Sequence, residues 1–205
     1  MKTTSFTTFA SLVLSGSAVP LSTSSNGMIT VQVSFDAGAQ AAGIAANAFD
    51  ANKLFAFSSM QHINAVPGEV VNGTEATGGL AGASGTFIFG LNSAMNMICY
   101  NITLHNFQGE FDSPATTATH IHEAAKGASG PPRIAFPNPE PVGADGVVRN
   151  SAGCLKGPFT TGVMVEGKDS GEGFHVSMIE ANPTAFMADT HSSLALPGAV
   201  RGQLA

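Results

Sequence analysis

The sequence predicts an all-β fold: a Greek-key-like β-sandwich or barrel with long loops rich in Gly and Pro. Three observations predict it. Gly and Pro number 24 and 11 among 205 residues, while charged residues make only 11% of the chain, too few for the exposed faces of a helical bundle or coiled coil. Several short apolar runs alternate with a period of two. Turn residues separate those runs, as in an antiparallel domain of many short strands. The length suffices to bury a core. Eight Lys and Arg stand singly against 14 Asp and Glu, for a net charge of −6, so there is no basic stripe and nucleic acid is not expected as a partner.

Taken in order, Lys2 precedes the apolar run Phe6 to Leu14 and then Gly16-Ser17-Ala18. A short basic region, an apolar stretch and a small-x-small ending are the parts of a secretory signal, so residues 1–18 are expected to be a leader cleaved after Ala18 and the protein to be extracellular. The alternative is an ordinary N-terminal strand or helix. No later segment reads as a membrane span. Met28 to Phe35 alternates strictly and predicts a strand. The Ala-rich stretch 38–52 reads as a short helix or an irregular crossover, Lys53 to Ile63 as a second strand, and Val66 to Gly85 as a long surface loop. Residues 19–79 are thus expected to supply N-terminal strands and irregular chain to the same sandwich as the principal domain, 80–205. There, Thr86 to Leu91 and Met95 to Leu104 predict a hairpin with Ile98, Tyr100, Ile102 and Leu104 inward and Cys99 and Asn101 outward. Strands are further expected around Thr116 to His122, Phe186 to His191 and Ala199 to Leu204, with a Gly/Pro-rich loop over 126–146 and short apolar pieces at Phe159 to Val165 and Phe174 to Ile179.

Secretion gives two other features meaning. Asn72-Gly73-Thr74 and Asn101-Ile102-Thr103 are acceptors for N-glycans. Cys99 and Cys154, the only cysteines, most simply form one disulfide in an oxidising compartment, the alternative being two buried thiols. With Cys99 on the outer face, such a bond would pin a surface loop to the sheet.

The most chemical triplet is His120-Ile121-His122. Residues two apart on a strand share a face, so both imidazoles project together and can hold one copper or zinc while Ile121 faces the core. The competing reading is two structural hydrogen bonds. His191, in another expected strand, is the best third ligand, with Asp189 on its own face as an outer acceptor for a ring N–H. His105 and His175 are alternatives, and His62 reads as an ordinary polar residue.

Four ordered segments resemble the chordin-type (CHRD) domain. They are Ala118 to Glu123, with its His-Ile-His; the Gly-Pro loop Gly127 to Pro132; Asn182 to Phe186 followed by Thr190-His191; and Pro197-Gly198-Ala199-Val200-Arg201-Gly202-Gln203-Leu204. The resemblance covers about residues 80 to 204 and departs from the family pattern at Glu123, Ala188-Asp189 and Ala199. It implies an extracellular β-sandwich module. A His-x-His strand, a distant His and a late Arg also resemble copper/zinc superoxide dismutases, which implies His120, His122 and His191 as copper ligands and Arg201 as an anion guide. The bridging histidine and the zinc loop of that family have no counterpart here.

Two functions follow. One is a secreted, noncatalytic binding or structural module for an extracellular protein or glycan, holding one copper or zinc ion through its histidines. The other is a copper-only superoxide dismutase-like enzyme with Arg201 in the catalytic role. Hydrolysis is disfavoured, since neither Gly-x-Ser-x-Gly nor His-Glu-x-x-His occurs.

Overall fold

A computed structural model describes residues 56–144 and 146–204 with their side chains, and before them the backbone of 11–14, 17–23 and 29–31. Two compact units emerge, Met1–Ala56 and Phe57–Ala205. In the first, strands β1 (Ser11–Leu14), β2 (Ser17–Thr23) and β3 (Ile29–Val31) pair antiparallel in chain order. β1 falls within the run expected to be the apolar part of a leader, and β3 within the strand expected over Met28 to Phe35. The Ala-rich stretch 38–52 lies outside the described residues.

The second unit is a sandwich of two antiparallel sheets. After β4 (Ser59–Ala65) comes the small hairpin β5 (Val71–Asn72) and β6 (Glu75–Ala76), then β7 (Ser84–Asn92) and β8 (Met97–His105). The chain continues through β9 (Thr119–Glu123), β10 (Pro132–Phe136), β11 (Glu140–Val142), β12 (Val148–Lys156) and the short pair β13 (Met164–Val165) and β14 (Lys168–Asp169). The short helix α1 (Ser177–Ala181) leads into β15 (Phe186–Ser192) and β16 (Ala195–Gln203). One sheet has the order β11-β12-β8-β7-β4 and the other β10-β9-β15-β16. The barrel alternative falls away: β4 and β16 approach through the bridge of Val66 to Arg201, and the sheets do not close.

β8 behaves as its period of two requires, burying Ile98, Tyr100, Ile102 and Leu104 while Asn101 stays exposed. Those side chains meet Phe87, Phe89 and Leu91 of β7 and, from the facing sheet, Ile121, Ile134 and Phe136. Phe136 joins the layers, its ring 5.3 Å from Phe89 and 5.0 Å from Tyr100 between centroids. Each such aromatic contact adds about 0.5–1.5 kcal/mol beyond its buried area.

Three expectations need correction. The loop of Val66 to Gly85 carries β5 and β6 and turns inward at Val70 and Leu80, both buried. The loop over 126–146 contains β10 and β11. Cys154 lies in β12 rather than in a surface loop, directly opposite Cys99 of β8, so the disulfide links neighbouring strands. β12 is poor in apolar residues and is recruited by main-chain pairing along all nine of its positions, which leaves no hydrophobic pattern to read.

Candidate metal centre

His120 and His122 on β9 and Asp189 and His191 on β15 share the outer face of the four-stranded sheet, with Ile121, Ala188 and Thr190 turned to the core. Register makes the cluster, because β9 and β15 are neighbours and His120 stands opposite Asp189. The ring centroids of His191 lie 5.3 Å from His120 and 6.0 Å from His122, and those two are 5.2 Å apart. One ligating atom from each of the four residues falls within 4.8 Å of all the others. The expected trio therefore converges. His105 and His175 do not join it: His105 ends β8 in the other sheet, and His175 bonds Ser177 at 2.8 Å.

Each imidazole is oriented by a main-chain carbonyl. Nε2–H of His120 donates to Thr117 at 2.6 Å, Nδ1–H of His122 to Gly130 at 2.8 Å, and Nδ1–H of His191 to Leu196 at 2.7 Å. The other nitrogen of each ring faces the cluster, the orientation that carbonyls of an outer shell impose on the ligands of a metal site. Gly130 is required for its part, since a Cβ there would collide with the carbonyl oxygen of Glu123.

Asp189 corrects the sequence reading most. It accepts no ring N–H from outside the cluster; it sits inside. Its Oδ1 lies 3.5 Å from His120 Nδ1 and 3.3 Å from His122 Nε2, and its Oδ2 lies 3.3 Å from His191 Nε2. Asp189 and His120 are 3% and 1% exposed. His120 Nδ1, His122 Nε2 and Asp189 Oδ1 have no hydrogen-bond partner. Buried lone pairs facing a carboxylate with nothing between them are costly unless a cation joins them. Burial pushes the Asp189 carboxyl up, but the neighbouring histidines outweigh it and hold the group well below the usual carboxylate range. Burial lowers His120, whereas in His191 the Asp189 carboxylate outweighs burial and raises the imidazole to about 9. A metal ion arriving here displaces that proton, so uptake and proton release are coupled.

Arg201 stands opposite Asp189 on β16, on the same face, but is only 3% exposed, and its Nη2 donates to the carbonyl of Ala125 at 3.2 Å. That contact ties the last strand to the loop covering the cluster and gives no solvent-facing guanidinium to guide an anion. Nothing in the geometry supports the superoxide dismutase-like reading. Gln203 is structural as well, its Nε2 lying 2.8, 2.9 and 2.7 Å from the carbonyls of Ala124, Thr184 and Phe186. The three carbonyls that orient the imidazoles carry no side-chain signature, so no sequence signal could have found them.

Asn72 and Asn101 are exposed, at the tip of the β5–β6 hairpin and on the outer face of β8. Among the described residues no helix is long and apolar enough to cross a membrane. The CHRD domain family matches residues 58–204, starting ahead of the boundary expected near residue 80 and taking in β4. No curated protein and no solved structure matches the chain.

Proposed function

We propose that this chain, which belongs to the CHRD domain family, is a secreted, noncatalytic binding or structural module that holds one copper or zinc ion on His120, His122 and His191. CHRD domains are generally extracellular binding domains, which supports the location and the class of function. The observation that carries the metal is the inward aim of three ring nitrogens whose opposite nitrogens are fixed by carbonyls. Residues 1–18 act as the leader, and glycans on Asn72 or Asn101 go with the extracellular route. An extracellular protein or glycan is the partner of choice for a surface poor in charge.

Elemental analysis of protein secreted and purified without an affinity tag tests the metal. About one ion per chain is expected, lost in the His120→Ala/His122→Ala variant. A chain that folds and takes up neither metal overturns it. Intact mass before and after glycosidase treatment tests the route, and a full-length unmodified chain from a eukaryotic host counts against it.

A further inference from the structure

We infer that Asp189 completes a closed, four-coordinate zinc site that fastens three segments of chain to the outer face of the four-stranded sheet, an inference that rests on the metal reading above. Metal–nitrogen and metal–oxygen bonds of about 2.0–2.1 Å at tetrahedral angles place neighbouring donor atoms about 3.3–3.4 Å apart. The carboxylate of Asp189 presents Oδ1 at 3.5 and 3.3 Å from His120 Nδ1 and His122 Nε2, and Oδ2 at 3.3 Å from His191 Nε2. These separations lie at the outer edge of hydrogen-bond range, yet His120 Nδ1, His122 Nε2 and Asp189 Oδ1 make no hydrogen bond. The two to Oδ1 are close to the edges of a coordination tetrahedron, while His191 Nε2 faces Oδ2, and one ligating atom from each of the four residues lies within 4.8 Å of all the others, near enough to close on one ion.

Four protein ligands make a structural site, whereas a catalytic one keeps a position open. Burial agrees, because Asp189 and His120 are nearly inaccessible and the side chains of His122 and His191 are only 11% and 12% exposed. Zinc has no electronic objection to the tetrahedron, while Cu(II) prefers a tetragonal arrangement.

The orienting carbonyls show what the ion would hold. Thr117 precedes β9, Gly130 belongs to the β9–β10 loop, and Leu196 opens β16. The β9–β10 loop in turn carries the β5–β6 hairpin, through Ser129 N–H to the Gly73 carbonyl at 2.8 Å and Gly73 N–H to Ser129 Oγ at 3.0 Å. Lys126 pairs with Glu69 at 3.2 Å on the same side. An ion fixing the imidazoles therefore fixes the cover of the sheet.

The test uses the whole secreted chain, stripped with a chelator and reloaded with Co(II), a spectroscopic stand-in for zinc. One Co(II) per chain with the intense visible bands of a tetrahedral ion, unchanged by azide, is the expected result. Asp189→Ala should lose more than the roughly 10–100-fold in affinity that an outer-shell change costs, and its residual Co(II) form should respond to azide. Because that variant removes a buried charge and can misfold, the wild-type azide response decides independently: bands that shift with azide, or that are those of five or six coordination, overturn the closed site while leaving a metal site in place. Failure of the folded wild-type chain to take up any ion overturns the metal reading itself. Zinc in the secreted protein supports the assignment, and copper at one per chain overturns it. Amide exchange at Ala118, 124–130 and 194–196 should quicken on chelation; unchanged exchange in the wild type refutes the fastening role.

Discussion

The two sheets of the sandwich share one core and differ in their outer faces. On the five-stranded sheet that face is bare: Asn101, Ala152 and Cys154 are exposed, and the Cys99–Cys154 bond crosses it from β8 to β12. On the four-stranded sheet the corresponding face is covered, with Met187, Asp189, Arg201 and His120 all buried. Both faces carry a link between adjacent strands, covalent and satisfied on one, and built from imidazoles and a carboxylate on the other. The difference teaches where polar chemistry can be concentrated. An exposed face leaves its polar groups to water, whereas a covered one forces them into pairs or around an ion.

The covalent link offers the largest expected effect. In the chain-entropy model a bond closing a separation of 55 residues contributes about 4 kcal/mol. Replacing both cysteines by Ala should lower the melting temperature by roughly 10 °C. The loss should appear as faster amide exchange along β8 and β12, with metal uptake by the other sheet unchanged. If uptake falls in the folded double variant, the two faces are not independent and the contrast between them breaks.

A matched pair of truncations sharpens the contrast at intermediate size. Met187, on the covered face opposite His122, is 4% exposed, and Met187→Ala should cost about 3 kcal/mol. Ile88, on the bare face opposite Asn101, is half-buried, and Ile88→Ala should cost about 1 kcal/mol. Equilibrium denaturation of both variants checks the order. Equal losses would mean that the cover over the four-stranded sheet does not seal it.

The same asymmetry governs what was legible in the sequence. β8 shows itself because one face is wet: buried Ile98, Tyr100, Ile102 and Leu104 alternate with Cys99, Asn101 and Thr103. β9 and β15 are buried on both faces, so hydrophobic alternation fades, and their signal in the sequence is instead the His-x-His pair and the segment Asn182 to Phe186 followed by Thr190-His191. Spacing put His120 with His122, and Asp189 with His191, on one face each, because residues two apart share a face on any strand. It could not tell which side of Asp189 the imidazoles would occupy, since that depends on the register of β9 against β15. β10 and β12 stayed hidden, their partners being chosen by main-chain pairing rather than by side-chain pattern. Arg201 looked chemical and bonds a main-chain carbonyl instead.

The smallest effect separates two carboxylates that each have three polar side chains around them. Glu180 of α1 accepts hydroxyl hydrogen bonds from Ser58, from Ser59 at 2.9 Å and from Ser93, fastening the helix to the β4 edge and to the turn after β7. Its neighbours are hydroxyl donors, so the protein alone satisfies it; those of Asp189 are ring nitrogens, and its Oδ1 has no hydrogen-bond partner. Burial raises the Glu180 carboxyl, but the three serines outweigh it and hold the group below its ordinary value. A depressed carboxylate stabilises the fold at pH above its unfolded value and loses that contribution as pH falls through the folded one. Melting temperature should therefore decline in acid. Glu180→Gln should cost on the order of 1 kcal/mol at neutral pH and almost nothing once the wild-type group is protonated, so the two curves converge as pH falls from the ordinary carboxyl value of 4.5 through the lower folded one. Part of the slope remains in the variant, because Asp169, holding the N–H groups of Thr161, Gly162 and Gly171, is depressed in the same sense. Metal content at neutral pH should not change. Parallel melting curves would show that Glu180 works through shape rather than charge, and a variant that loses its ion would show that the two carboxylates are not the separate devices their surroundings make them.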